Sequence, residues 1–395
     1  MVVEILLGGL ALLLLVPALV LLIQVLMALR EHVPRAYPKG ARPAVAVLVP
    51  AHDESLVIAD TLRSLLPQLK EHDRLLVVAD NCTDSTAEIA RKEGAEVIER
   101  SNREHRGKGY ALEFGVRHLE KDPPEVLVIV DADCTIDRGV IDQLAECSHA
   151  TGLPVQALYL MHSPKNANLK ARVAEFAWVV KNHVRALGFH RLGLPCQLMG
   201  TGMAFPWSVI QKTHLGNGNI VEDLKLGIDL ARSGTPALFC PDAVVSSTFP
   251  GNSEGVSSQR TRWEHGHLGI ILHVAPRFMW DALCRRDVKQ LALALDLCVP
   301  PLSLMVLLAL SIFACSVIVF LMFGRLTALS ISSFVLIAIA TSVMAAWIGY
   351  GKKVITLVDL ACVPFYVLWK IPLYVKFVFS RQAEWVRSKR DESKP

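Results

Sequence analysis

Hydrophobic positions follow three rhythms along this chain. From Val2 to Leu29 they are nearly continuous, broken chiefly by Glu4 and Gln24. A run of that length suits a bilayer span and exceeds a signal-peptide core. Short β-branched runs then alternate with stretches of helical spacing. Ala44–Pro50 (AVAVLVP) reads as a buried parallel strand, Ile58–Leu69 as a helix, Leu75–Asp80 as a strand and Asp84–Glu93 as a helix. Ala95–Arg100 reads as a third strand, Lys108–Leu119 as a helix, and Val126–Cys134 as a fourth strand running into acidic residues. Near-continuous apolar runs return at about Val299–Phe323 and about Leu326–Ile348. A last run, Val354–Ser380, contains Pro364, Lys370, Pro372 and Lys376 and reads as interfacial or re-entrant.

This pattern predicts a membrane anchor at 1–30, an α/β domain with a mostly parallel sheet at 44–287, a membrane region at 288–380 and a basic tail at 381–395. Arg30, Arg35, Lys39 and Arg42 follow the first span, so the positive-inside rule puts the middle domain in the cytosol. The basic tail favours the same side, which is why the last run is not read as a crossing. Leu169–Gly193 mixes Phe176, Trp178, Val179 and Val180 with basic residues. It reads as an amphipathic helix at the membrane surface, with a helix of the soluble domain as the alternative.

Composition narrows the function classes. The net charge of +4 is too mild for a nucleic-acid partner, and no aromatic-basic stacking motif is present. The nine cysteines show neither a CxxC pair nor metal-ligand spacing, which fits reduced thiols. No GxGxxG follows the first strand and no GxxxxGK[ST] occurs, which counts against a dinucleotide fold and a P-loop.

In open α/β sheets ligands bind beyond the carboxyl ends of the strands. Those ends here read PAHDE, DNCTDS and DADC. Asp131 and Asp133, at i and i+2 after a buried strand, can face one divalent ion, and oxygen ligands suit Mg²⁺ or Mn²⁺. Their mutual repulsion without a cation favours that reading over a solvated turn. Glu222 and Asp223 head a segment of helical spacing; they complement a helix dipole or supply a general base. Arg106–Gly109 (RGKG) reads first as a glycine turn and second as a phosphate cradle using Lys108. Arg260, Arg262 and Trp263 suit either lipid headgroups or a bound phosphate. Asn252–Gln259, rich in Ser and Gly, suits a gating loop or any surface loop.

Taken in order, VPAHDE, ADNCTD, RGKG, VDADC, VEDLKL and QRTRW resemble the membrane-bound family 2 glycosyltransferases with the D, D, D, QxxRW signature. That family includes cellulose, chitin and hyaluronan synthases, ceramide glucosyltransferase and bacterial exopolysaccharide enzymes. The resemblance covers roughly Val45–Trp263 and the membrane layout, and it implies a GT-A type, Rossmann-like cytosolic catalytic domain in a bacterial inner membrane. By that likeness Ala51, Glu54 and Asp80 border the base and ribose of a UDP-sugar, with Lys108 near the nucleotide. Asp131 and Asp133 hold the metal and the diphosphate. Asp223 is the base, with Glu222 beside it. Gln259, Arg260 and Arg262 meet the departing diphosphate, and Trp263 offers a face to the acceptor. Gly200, Thr201 and Gly202 fall where the family has an acceptor loop. Val221 stands where many relatives have Thr, but the acids remain. The implied reaction is inverting transfer to a lipid-linked or saccharide acceptor in exopolysaccharide or cell-envelope synthesis. Membrane lipids, and an export or oligomeric partner, are the further partners. A processive synthase and a single transfer to a lipid both fit, and the small number of spans leans towards the latter. A non-catalytic nucleotide-binding or transport component is the competing class.

Overall fold

The β-branched runs become strands of one eight-stranded sheet: β1 Val45–Ala51, β2 Arg74–Asp80, β3 Glu96–Arg100, β4 Val126–Ile129, β5 Thr135–Ile136, β6 Val155–His162, β7 Met203–Pro206 and β8 Leu238–Thr248. The computed structural model describes residues 2–31, 42–164, 167–216, 221–250 and 253–379. The sheet order is β3-β2-β1-β4-β7-β6-β8-β5. β3, β2, β1 and β4 run parallel, whereas β7 is antiparallel to both β4 and β6. β6 and β8 also pair parallel, so the sheet is mixed but mostly parallel, as expected, with β7 and β5 running the other way. The block β3-β2-β1-β4 is the part the sequence pattern marks. All of β4 and nearly all of β1 and β2 are buried, because helices cover both faces.

The chain divides into two compact units. The α/β unit takes 33–164 and 195–262; residues 165–194 and 263–287 group instead with the apolar helices. The α/β unit places the carboxyl ends of β1, β2 and β4 on one edge, and the antiparallel β7 begins at that same edge, with Ile129 opposite Met203.

In the other unit, Val2–Ala28, Leu302–Phe323 and Thr327–Gly351 are long and apolar enough to cross a membrane. The buried stripe of the first helix runs Ala11, Leu14, Ala18, Leu21, Val25 and Ala28. Leu169–Arg191 is helical throughout, with a π-helical stretch at Val179–Arg185. Val173, Phe176, Val179, Val180 and Val184 are buried, and the helix packs on Val2–Ala28. The approach is so close that a Cβ on Gly188 would lie 2.0 Å from the Gln24 carbonyl oxygen.

The two polar exceptions in the first apolar run now have partners. Glu4 faces Arg325 at 3.7 Å. Gln24 donates to Asp296 Oδ1 at 2.6 Å, and Arg185 donates to the same oxygen at 2.7 Å and to Gln24 Oε1 at 3.2 Å. Arg185→Met would strand the Asp296 carboxylate in a buried site, and breaking such a pair costs about 3–5 kcal/mol. The thermal midpoint of this variant in detergent should fall clearly below that of wild type; an equal midpoint would mean the pair does not hold these helices.

The last apolar run breaks into Leu357–Ala361, Val363–Trp369 and Ile371–Phe379, none long enough to cross a bilayer; Ser380 lies outside the described residues. Two of its charges are paired: Asp359 accepts from Arg172 at 2.9 Å, and Lys370 donates to Glu264 and, at 2.9 Å, to Ser303.

Candidate active site

The site grows from the strand ends of the α/β unit. β4 stops at Ile129, and the next residues carry Asp131 and Asp133. Two hydroxyls fix this turn: Thr61 Oγ1 donates to the Ala132 carbonyl at 2.8 Å, and the Asp131 N–H donates to Thr201 Oγ1 at 3.0 Å. Lys108, the first residue of helix Lys108–Leu119, forms an ion pair with Asp131 and donates to the Gly200 carbonyl at 2.7 Å. Glu222 and Asp223 open helix Glu222–Arg232, where negative charge suits the N-terminus. One cavity is lined by Lys108, Gly200, Met203, His214, Glu222 and Asp223, among others.

Among these groups Lys108 is the cation, and the four carboxylates exceed it. Burial works against the Lys108 charge, yet Asp131, Glu222 and Asp223 outweigh burial and hold the ammonium well above the ordinary lysine range. Burial pushes the Asp131 carboxyl up; Lys108 pulls it down, Asp133 repels it, and the balance is upward. Glu222 is raised to about 7, first by burial and then by Asp223, against the pull of Lys108. Clustered, half-buried carboxylates in excess of their cation are what a further positive ligand would relieve.

The expected site residues sort unevenly. Lys108, Asp131, Glu222, Asp223 and Gly200 converge: a Cβ on Gly200 would lie 3.4 Å from Asp223 Oδ2 and 3.7 Å from Lys108 Nζ. Lys108 therefore braces an acid, beyond the turn or phosphate cradle expected of it. Thr201 and Gly202 are enclosed by the fold. Thr201 is fully buried, with its hydroxyl on the Asp131 amide. Gly202, at φ +63°, leaves no room for a side chain, since a Cβ would lie 2.7 Å from Val245 and 2.8 Å from Ala157.

Ala51 ends β1 and Asp80 ends β2. Asp80 Oδ1 accepts from Arg100 at 2.6 Å and from Asn81 at 3.0 Å. The Glu54 amide donates to Thr86 Oγ1 at 2.7 Å. Gln259, Arg260, Arg262 and Trp263 all lie on helix Ser253–His273. Residues from Ser253 on are thus helix rather than the expected gating loop, and Asn252 lies outside the described residues. Arg262 Nε is buried with no hydrogen-bond partner among the described residues. Trp263 belongs to the unit of apolar helices, where its ring centroid lies 4.8 Å from that of Trp178.

Asp53, Cys82 and Asp84 also lie close enough together to hold an ion. Their bonding suits loop closure better. Asp53 accepts from the Thr83 amide at 2.6 Å, and Asp84 from the Thr86 and Ser55 amides at 3.0 and 3.1 Å. Burial opposes the Asp84 charge, but the Thr86 and Ser55 hydroxyls, and then these amides, outweigh it and hold the carboxyl at about 2. The Cys82 thiol is pushed up to about 11 by burial, away from the thiolate a metal takes.

Sequence reasoning missed Thr61 and His214. Thr61 sits within a helix and has no motif, and His214 is an isolated histidine in a polar stretch.

A mixed sheet with acids gathered at the ends of its parallel strands is the architecture of GT-A glycosyltransferases. One solved structure of similar fold is the mannosyltransferase PcManGT from Pyrobaculum calidifontis, in complex with GDP-Man and Mn²⁺. It matches at a TM-score of 0.55 and 18% identity over 95% of this chain and 100% of that one. The sequence model described as "Glycosyltransferase like family 2" matches residues 43–266. The chain belongs to this glycosyltransferase family. It is 28% identical over 253 residues to the probable glycosyltransferase YdaM of Bacillus subtilis (strain 168), a match covering 60% of this chain and 58% of that protein. It is 24% identical over 238 residues to poly-beta-1,6-N-acetyl-D-glucosamine synthase of Staphylococcus aureus (strain COL), covering 58% of this chain and 55% of that protein. The chain thus spans little more than half the length of these relatives.

Proposed function

We propose that the protein is an inverting, metal-dependent glycosyltransferase of the D, D, D, QxxRW type. It moves a sugar from UDP to a lipid-linked or saccharide acceptor at the cytosolic face of a bacterial membrane, in exopolysaccharide or cell-envelope synthesis. The observation that carries this reading is the convergence of Lys108, Asp131, Glu222 and Asp223 where the parallel strands end. The donor set fits a hard divalent cation: Asp131 and Asp133 are half-buried and offer oxygens only, and their negative charge favours a cation. Bound there, Mg²⁺ or Mn²⁺ supplies positive charge to the donor diphosphate.

The chain's own residues do the rest. Ala51, Glu54 and Asp80 border the base and ribose. Asp223 takes the proton from the acceptor hydroxyl as that oxygen bonds to the anomeric carbon. The bond from this carbon to the diphosphate oxygen breaks, and UDP leaves with the electron pair. A single displacement inverts the anomeric centre. Gln259, Arg260 and Arg262 bind the departing phosphates, and Arg262 Nε has a buried N–H ready for such an acceptor. Trp263 is assigned to the acceptor sugar. Three helices of spanning length among the described residues lean towards limited transfer, while the name of the staphylococcal relative favours polymerisation. Product length separates the two.

Calorimetry with UDP tests the nucleotide site directly. The protein should bind UDP in Mg²⁺ or Mn²⁺ and lose at least tenfold in affinity in chelator or as Asp131→Ala. Equal binding in chelator would remove the metal from this proposal.

A further inference from the structure

The segment expected to lie on the membrane surface, Leu169–Gly193, spends its apolar residues on internal packing. A different helix in the same unit presents the amphipathic face. Ala275–Arg285 buries Ala275, Phe278 and Ala282, spaced i, i+3 and i+7. Its other side exposes Pro276, Arg277, Trp280, Leu283 and Cys284, with Trp280 67% and Leu283 51% exposed. Leu272 and Val288, at 58% and 70% exposed, extend the apolar strip beyond both ends of the helix. An exposed tryptophan among exposed aliphatic side chains needs an apolar neighbour.

Charge says which neighbour. Arg277, Arg285, Arg286 and Lys289 are all exposed. None of them forms an ion pair or side-chain hydrogen bond among the described residues. The acids nearby are occupied: Asp281 is half-buried and has an interaction of its own, and Asp287 caps the next helix by accepting from the Gln290 amide at 3.0 Å. Only the helix Val288–Leu297 and a four-residue link separate this face from the spanning-length helix Leu302–Phe323. The face thus lies next in the chain to a segment long and apolar enough to cross a bilayer.

We infer that Ala275–Arg285 lies in the headgroup layer and binds anionic phospholipid, with Trp280 and Leu283 dipping towards the acyl chains and the four basic residues meeting the phosphates. Tryptophan at the level of the headgroups and Arg/Lys beside anionic lipid are both favourable placements. This inference does not depend on the donor, the acceptor or the catalytic residues.

The test uses the full chain in lipid nanodiscs and reads Trp280 as the fluorescence difference between wild type and Trp280→Phe. Brominated phosphatidylglycerol or brominated phosphatidylcholine is added at equal mole fraction as quencher. Trp280 should be quenched by both lipids, and several-fold more by phosphatidylglycerol. Because each basic residue near an anionic surface contributes about fivefold, Arg277→Gln/Arg285→Gln/Arg286→Gln should abolish the preference while quenching by phosphatidylcholine persists. Near-UV circular dichroism confirms that the triple variant keeps its fold. No quenching of Trp280 by either lipid would overturn the inference and leave the strip to water or a protein partner. Equal quenching by the two lipids in wild type would overturn the anionic selectivity.

Discussion

Asp223→Asn should abolish sugar transfer while leaving nucleotide binding within about twofold of wild type. The asparagine keeps the shape of the side chain and its place in the first turn of helix Glu222–Arg232, but it cannot take a proton at neutral pH. General-base catalysis contributes roughly a hundred- to ten-thousand-fold, so donor-dependent UDP release should drop by at least two orders of magnitude. Asp223 Oδ1 accepts from the neighbouring Leu224 amide at 2.8 Å, a bond that an asparagine carbonyl can also accept, so the helix start should survive. Transfer within tenfold of wild type would move the base elsewhere, and Glu222 would be the next candidate.

The second large effect concerns pH. Glu222 is raised from an ordinary 4.5 to about 7, so the folded protein holds a proton there that the unfolded chain releases. A group raised on folding contributes stability fully below its unfolded pKa and loses it as pH climbs through the folded value. Between pH 4.5 and about 7, then, Glu222 makes the α/β unit less stable as pH rises. Glu222→Gln removes the titration, and at pH 8 it should stabilise the unit by on the order of 3 kcal/mol relative to wild type. Thermal midpoints of both proteins at pH 5 and pH 8 in chelator check this: the two should converge at the acid end and separate at the alkaline end. Parallel midpoints would mean that Glu222 is ionised throughout and well solvated. Lys108→Met should steepen the loss in wild type, since it removes the ammonium that opposes the rise of both Glu222 and Asp131.

Much of the α/β unit was legible in the sequence because buried parallel strands announce themselves. Val45–Ala51 and Val126–Ile129 are unbroken apolar runs, and the acids after them stand out by contrast. The second half of the sheet carries no such signal. β7 is four residues long, and β8 contains Pro241 and alternates in burial beyond it. The packing of Leu169–Arg191 is hidden for the same reason. Apolar residues beside basic ones look alike in a surface helix and in a helix packed on Val2–Ala28, and only the partner, more than a hundred residues away in sequence, decides between them. Charge pairing is equally invisible: Lys108 reads as part of a glycine turn, yet its ammonium sits on Asp131 and the Gly200 carbonyl. Thr201 was placed near the acceptor by its position in GTG, whereas the fold turns its hydroxyl inward to hold the turn that carries Asp131.

The most direct measurement is UDP or GDP release by the full chain in lipid nanodiscs with bacterial lipid extract. UDP-glucose, UDP-galactose, UDP-N-acetylglucosamine, UDP-glucuronate and GDP-mannose are offered in turn, with chelator and Asp223→Asn as controls. Turnover of one UDP-sugar, lost in both controls, is the expected result and names the donor. Release with GDP-mannose alone would contradict the uridine assignment. Binding of UDP without turnover of any donor in the presence of the extract would contradict the catalytic reading of Asp223.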